Sequence, residues 1–420
     1  MELKPGYRPT ELGAIPADWK VMALGTIGEV CMCKRVLKHQ TKEHGDVPFY
    51  KIGTFGGHPD AFICRSLFED FSQRYSFPKT GDVLISAAGT IGRAVVYDGE
   101  PAYFQDSNIV WIANDESRVT NRFLWHQYRV TKWAVEHGGT VARLYNENLR
   151  TKVVVAVPPM VEQSAIVSAL DDADALLDGF DRLIAKKRDL KQATMQQLLT
   201  GKTRLPGFSG EWEVKRLGDH VTFLRNGVNS RAELLTEGSI RYLHYGDIHA
   251  AVNSYMTPAA LPFLPESKAS RLDRLRDGDV VFADASEDIA GVCKSVEIAG
   301  ASNHEVVAGL HTITARFDKS VLADGFKGLL QHCPLFSRHL RRLAAGTKVY
   351  ATNRSHIATV EMPLPKPDEQ IAISEVLSDM DAELEALEAR RNKVQSLKHA
   401  MMQELLTGKT RLVATEAAHA

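Results

Sequence analysis

The 420-residue chain is 44% hydrophobic and 25% charged, with a formal net charge of -1. This length supports two to four domains with cores of their own, and the near-zero charge excludes a uniformly basic binder, so any anion-binding surface must be local. The absence of an apolar run of about 18 residues argues against a membrane span, and five cysteines without C-x-x-C spacing argue against a disulfide framework or zinc ribbon.

In chain order, the first stretch reads as a mixed α and β domain. VPFYKIGTF (47–55), DVLISAAG (82–89), RAVVYDG (93–99) and SNIVWIA (107–113) have the composition of short strands between glycine-rich turns, and a helix is expected over 121–137. Cys31 and Cys33, with His39 and His44 nearby, read as incidental thiols rather than a metal site. From Ser117 to Val135 the chain is basic without an acid, with Arg118, Arg122, Arg129 and Lys132 among Phe123, Trp125, Tyr128 and Trp133. Such a run is either a solvated helix face or an anion-binding surface.

VPPMVEQ at 157 marks a helix start, with proline at the boundary and Glu162 near the positive end. The helix that follows carries Ile166, Ala173 and Phe180, then Leu170, Leu177, Ile184 and Leu198, with a second stripe at Leu176, Leu183 and Leu190. It closes on LLTGKTRL (198–205). A phosphate-cradling loop would need another glycine five positions earlier and would open a helix. Here Gln196 and Gln403 occupy that earlier position, so nucleotide binding is rejected. Gly201 and Gly408 suit left-handed helix ends instead, with Lys202 and Lys409 complementing the negative terminus.

A second mixed domain follows, with strands expected in IRYLHYGDI (240–248), GDVVFAD (278–284), KSVEIAG (294–300) and HTITARF (311–317), and a helix near 325–344. Its basic run, Leu335 to Val360, holds Arg338, Arg341, Arg342, Lys348 and Arg354. After PLPKPDEQ, Ile373, Met380, Leu387, Val394 and Met401 recur every seven residues, with Leu377, Leu384 and Leu405 on the companion position. That is a pairing seam sustained over about four heptads.

The chain is therefore written twice. LKQATMQQLLTGKTRL (190–205) and LKHAMMQELLTGKTRL (397–412) differ at three of sixteen positions, at an offset of 397 − 190 = 207. Upstream the same offset relates Glu162-Gln163 to Glu369-Gln370, Pro158 to Pro365 and Asn146 to Asn353. DWKVMALG (18–25) answers EWEVKRLG (211–218), and GDVLISAAG (81–89) answers GDVVFADAS (278–286). A period this long is a duplicated domain rather than a solenoid. The expected division is 1–156 first variable domain, 157–205 helix, 206–362 second variable domain, 363–412 helix and 413–420 tail. Two such helices of about forty residues, each spanning roughly 60 Å, would pair antiparallel and make the molecule pseudo-two-fold and nearly circular.

The Trp-x-x-x-x-Leu-Gly starts at Trp19 and Trp212, the GDV strands, P-x-x-x-EQ at 158–163 and 365–370 and the LLTGK helix ends, in this order and twice, resemble the specificity subunit of type I DNA restriction-modification systems. The resemblance covers the whole chain. It implies an α/β fold of two target-recognition domains, each reading half of a split site in double-stranded DNA, on two conserved helices forming an antiparallel coiled coil. It further implies docking of two methyltransferase subunits and, through them, restriction subunits. It implies no catalysis by the chain itself; the lack of an apolar span and of an apolar N-terminal stretch leads to the expectation of a cytoplasmic location. S-adenosylmethionine, ATP and Mg are then expected on the partners, with no cofactor or metal here. The residues agree on the absence of catalysis, since VPPM at 157 lacks the polar first residue and the aromatic of an amino-methyltransferase tetrad, and Pro367-Asp368-Glu369 lacks the acid-x-Lys of a nuclease. A stand-alone methyltransferase or nuclease and a repressor-like DNA-binding protein are the alternatives.

Base edges are read by Arg, Lys, Asn and Gln. The expected DNA contacts are Lys51, Arg93, Asn108, Arg143, Tyr145 and Asn146 in the first domain, and Tyr242, His244, Lys348, Tyr350, Asn353 and Arg354 in the second. The expected helix interface is Ile166, Leu170, Leu177, Phe180, Ile184, Ile373, Met380, Leu384, Leu387, Val394 and Met401.

Overall fold

The structure is a computed structural model that describes residues 4–133, 143–346 and 348–413. The helix expected over 121–137 ends at Tyr128, with 129–133 non-helical, and residues 134–137 and the tail from 414 lie outside the described residues. The chain divides into two compact units, one running to Phe180 and resuming at Arg390, the other Asp181–Ala389. The division cuts each long helix near its middle, so a unit is a head plus parts of both helices.

In the first unit a four-stranded antiparallel sheet is ordered Gly28–Cys31, Ile109–Asn114, Val83–Ser86, Ala94–Val96. Beside it lies a three-stranded sheet of Phe62–Ile63, Val47–Tyr50 and Tyr103–Phe104. In the second unit a five-stranded sheet is ordered Val221–Leu224, Thr312–Phe317, Val280–Ala283, Ser295–Ile298, Tyr255–Met256, again with a three-stranded companion, Phe263–Leu264, Ile240–Leu243, Glu305–Ala308. The expected strands thus form, each shorter than its sequence window. Val83–Ser86 and Val280–Ala283 are buried throughout, and this explains why they read as unbroken apolar runs.

The GDV motif starts these central strands in the same way twice. Gly81 (φ 93°) and Gly278 (φ 85°) take the left-handed turn. The carboxylate of the next residue accepts from the backbone N–H three positions earlier, Lys79 to Asp82 at 2.8 Å and Arg276 to Asp279 at 2.7 Å. Each head is closed by one further antiparallel pair, Lys20–Ala23 with Val154–Val157 and Glu213–Arg216 with Glu361–Leu364.

From that closing strand the chain enters the long helices, Met160–Leu198 and Pro367–Leu405, 39 residues each. Within each unit they run antiparallel. In the first unit Glu162 meets Arg411 and Asp174 meets Lys398; in the second Lys187 meets Glu383, Lys191 meets Asp381 and Arg204 meets Glu369. Ile166 and Leu170 are buried in the first head's core with Met402, Leu405 and Leu406, and Met401 packs against it. Ile373 and Leu377 are buried in the second head's core with Met195, Leu198 and Leu199, and Met380 packs against it. Ile184, Leu384 and Leu387 are buried; Leu177, Phe180 and Val394 are half-buried. The second leucine stripe is not part of any core: Leu176, Leu183 and Leu190 are 49%, 40% and 51% exposed.

LLTGKTRL closes each helix and then locks it. Gly201 (φ 68°) and Gly408 (φ 71°) adopt the left-handed conformation, and a Cβ on Gly408 would collide with Pro16. Tyr7 donates its hydroxyl to Gly408 O at 2.7 Å. Beyond the glycine, Arg411 forms a fork with Glu162 (2.5 and 2.7 Å) and Arg204 forms one with Glu369 (2.5 Å twice). The same carboxylates accept from the indoles of Trp19 (2.9 Å) and Trp212 (3.3 Å). Gln163 and Gln370 each accept one backbone N–H of the head, Thr120 or Ala323, at 2.9 and 2.8 Å, and donate to two carbonyls. The twice-written sequence is a twice-built joint.

Candidate nucleic-acid interface

In both heads one residue just after the central strand joins three loops through its backbone. In the first, Ala87 donates N–H to Asn108 O (2.7 Å) and accepts from Leu144 N (2.9 Å). In the second, Asp284 donates to His311 O (3.1 Å) and accepts from Thr352 N (2.8 Å). The scaffold is common to both, but the side chains on it differ. Arg143 donates to Asn108 Oδ1 at 3.1 Å, so two expected contacts meet there. The second head instead sets the His311 ring 3.1 Å from Asp284 Oδ1, beside the short pair Ala285–Ser286 with Tyr350–Ala351.

The other expected residues of the first head lie around the same loops. Arg93 is exposed and donates to Phe55 O at 2.6 Å; Lys51 pairs with Asp60 at 2.8 Å; Tyr145 is 51% exposed at the start of the helix Asn146–Thr151, whose first residue, Asn146, is half-buried. In the second head Lys348 is exposed and Tyr350 packs partly on the core. Arg354 is exposed and donates to Leu224 O at 2.8 Å.

Three expected contacts have side chains engaged in local hydrogen bonds, two of them buried, while Asn353 stays exposed. Tyr242 is fully buried, and its hydroxyl donates to Asn229 O (2.8 Å) and accepts from Asn229 N (3.0 Å) and Leu310 N (2.9 Å), so it clamps two loops from beneath. His244 is 7% exposed and caps the helix Tyr245–Ala250 by accepting from Gly246 N at 3.2 Å; burial, with Arg231 nearby, holds its pKa below the ordinary value. Asn353 caps Arg354–Ala358 by accepting from His356 N at 3.1 Å. All three sit at strand or helix ends, where polar side chains satisfy orphan backbone groups.

Residues that pattern reading passed over line an open cleft of about 780 Å³ at the second junction, among them Tyr245, His249, Lys294 and His311. Lys294 donates to His249 O at 2.7 Å, the role Arg93 has toward Phe55. Aligning RAVVY with KSVEI would have found it. His311, with φ 55°, carries no comparable sequence signal.

Two arginines of the first basic run are engaged with the long helix instead, while Trp133 at its end packs against Gly92 beside Arg93. Arg122 pairs with Asp171 (2.7 Å), Arg129 lies 3.7 Å from Asp174, and both guanidiniums stack on Trp125 (4.1 and 3.7 Å). His126, Asp171 and Asp174 are the one cluster of metal-ligating types among the described residues, but Arg122, Arg129 and Lys398 already neutralise it. Cys33 is buried in the first head, and that burial pushes its thiol up to about 12.

Two heads of one plan, with unlike side chains on a shared three-loop junction and helices locked beneath them, define a two-headed recognition module. The description "Type I restriction modification DNA specificity domain" matches residues 16–185. A relative in Haemophilus influenzae named as a type I restriction enzyme specificity subunit is 59% identical over 157 residues, which cover 37% of this chain and 40% of that one. One from Methanocaldococcus jannaschii, named as the MjaX specificity subunit, is 23% identical over 97% of both chains. Among solved structures, the S subunit of a type I system from M. genitalium aligns with a TM-score of 0.55 at 12% identity, over 97% of this chain and 98% of that one. A chain from a study of assembly of the type I R-M system aligns with a TM-score of 0.58 at 16% identity, over 94% and 99%. Residues 16–185 therefore match the type I restriction-modification DNA specificity domain, and the chain spans about 40% of the length of the Haemophilus influenzae relative and 97% of the Methanocaldococcus jannaschii one.

Proposed function

We propose that this chain is the DNA-reading subunit of a type I restriction-modification complex, each head reading one half of a bipartite site in duplex DNA. The observation that carries the reading is the repeated three-loop junction: identical backbone bonds present Asn108 and Arg143 in one head and His311 and Tyr350 in the other. A fixed scaffold with exchanged side chains is what two different half-sites require. In this reading Lys51, Arg93, Asn108, Arg143, Tyr145, Asn146, Lys348, Tyr350 and Arg354 face DNA, and Lys294 and His311 join them. The long helices set the unread spacer and dock two methyltransferase subunits, which bring the restriction subunits. The exposed stripe Leu176, Leu183 and Leu190 supports helix docking, since three leucines at heptad spacing remain uncovered. Catalysis, with S-adenosylmethionine, ATP and Mg, belongs to the partners.

Exchanging residues 206–360 for the corresponding segment of a relative, and mapping methylated adenines made by the reconstituted complex, tests this. One half-site should change while the other stays. A change in both, or in neither, overturns the division of reading between heads.

A further inference from the structure

The two basic runs have opposite fates. In the first, Arg118 donates to Thr26 O, and Arg122 and Arg129 pair with aspartates of the long helix. In the second, Arg338, Arg341 and Arg342 lie on the helix Pro334–Leu343, whose Phe336 and Leu340 are buried in the head. Their spacing, i, i+3 and i+4, places them on one face. All three are exposed and line one open groove of about 520 Å³ with Pro334 and Ser337. Among the described residues none of the three forms an ion pair. Arg341 donates to Ala290 O at 3.3 Å, which ties the helix to the loop after Ala285–Ser286. Past the helix, Ala345 bridges to Ala351, so the same helix leads into the loop carrying Lys348 and Tyr350. The negative helix end favours the cations of its last turn, Arg341 and Arg342, but Arg338 lies farther back and gains little from it. Three like charges on adjacent turns repel each other, and an external anion relieves that repulsion.

We propose that Arg338, Arg341 and Arg342 form an anchor for the phosphate backbone of duplex DNA beside the reading loops of the second head. It supplies sequence-independent affinity, and it rests on the DNA-reading function proposed above. A guanidinium fork matches phosphate oxygens, and Lys348 on the adjoining loop is also exposed, whereas Lys294 shares its cleft with Glu287 and Asp288. An acidic protein surface is the competing occupant.

The test is equilibrium binding of the full chain to a mixed-sequence DNA duplex across a salt series. Each phosphate contact contributes about 0.9 to the slope of log affinity against log salt. Arg338→Gln with Arg342→Gln, two side chains without internal bonds, should lower the slope by roughly two, and adding Arg341→Gln by roughly three, while the triple lysine variant keeps most of it. Circular dichroism identical to wild type excludes unfolding as the cause. Wild type that binds DNA with a slope the substitutions leave unchanged overturns the anchor alone. The same unchanged slope with lost co-assembly of a methyltransferase subunit assigns the ridge to a protein and also overturns it. Wild type with no salt-dependent DNA binding overturns the anchor together with the DNA-reading function.

Discussion

Glu162 and Glu369 are 0% and 2% exposed, and each holds an arginine from beyond a helix end together with an indole from the start of a head. A buried carboxylate is tolerable only while fully paired, so removing either partner strands a charge and costs about 3–5 kcal/mol. Arg204→Ala should therefore destabilise the chain by about 3 kcal/mol or more, measured as a lowered denaturant midpoint with Trp212 fluorescence as the local probe. A loss under about 0.5 kcal/mol would show the pair to behave as an exposed one. Glu369→Gln should cost less, because the amide oxygen still accepts from the indole and from one arginine nitrogen.

At the scale of elements, the helix Asn121–Tyr128 is docked on the first long helix through His126, whose Nε2 lies 2.9 Å from Asp171. Burial lowers the imidazole pKa and outweighs the carboxylate's pull, with Arg129 and Arg122 acting in the same direction as burial. The folded chain then resists protonation more than the unfolded one. Stability from this group is present above the unfolded pKa of about 6.5 and is lost as pH falls below it. His126→Gln should flatten the decline of stability between roughly pH 7 and 5. Denaturant midpoints at several pH values check this, and an unchanged decline would mean that the folded imidazole is already charged. Asp171 acts lower: burial raises its pKa, but hydrogen bonds from Arg122 and His126 prevail, so its contribution is lost only below the ordinary carboxylate range.

At the scale of the whole chain, the proposed spacer role of the helices has a direct consequence. Inserting one helical turn, about four residues, between Ala185 and Asp189 should change the number of unread bases between half-sites, read from methylation maps. An unchanged spacing would detach the helices from that role. The insertion point avoids the locks at Glu162 and Arg204, so folding of each head should persist.

The duplication, the strand cores and the helix limits were legible because they rest on local periodicity: apolar runs, heptads, prolines at entry and glycine at exit. Even the reading of GKT as a helix end needed only its place after a heptad run, and the left-handed Gly201 and Gly408 match it. The candidate interface was less legible. Tyr242 and His244 read as DNA contacts, yet both are buried; Tyr242 ties Asn229 to Leu310, partners far apart in sequence, and His244 caps the helix that starts beside it. Likewise Arg122 and Arg338 look alike as letters. One meets Asp171, 49 residues away, and the other meets no acid among the described residues. Sequence alone determined that this chain is one plan built twice, since repetition and amphipathic period are properties of a string. Tertiary structure decided which cations are spent on internal carboxylates and which stay free to bind outward, since that depends on distances that folding creates.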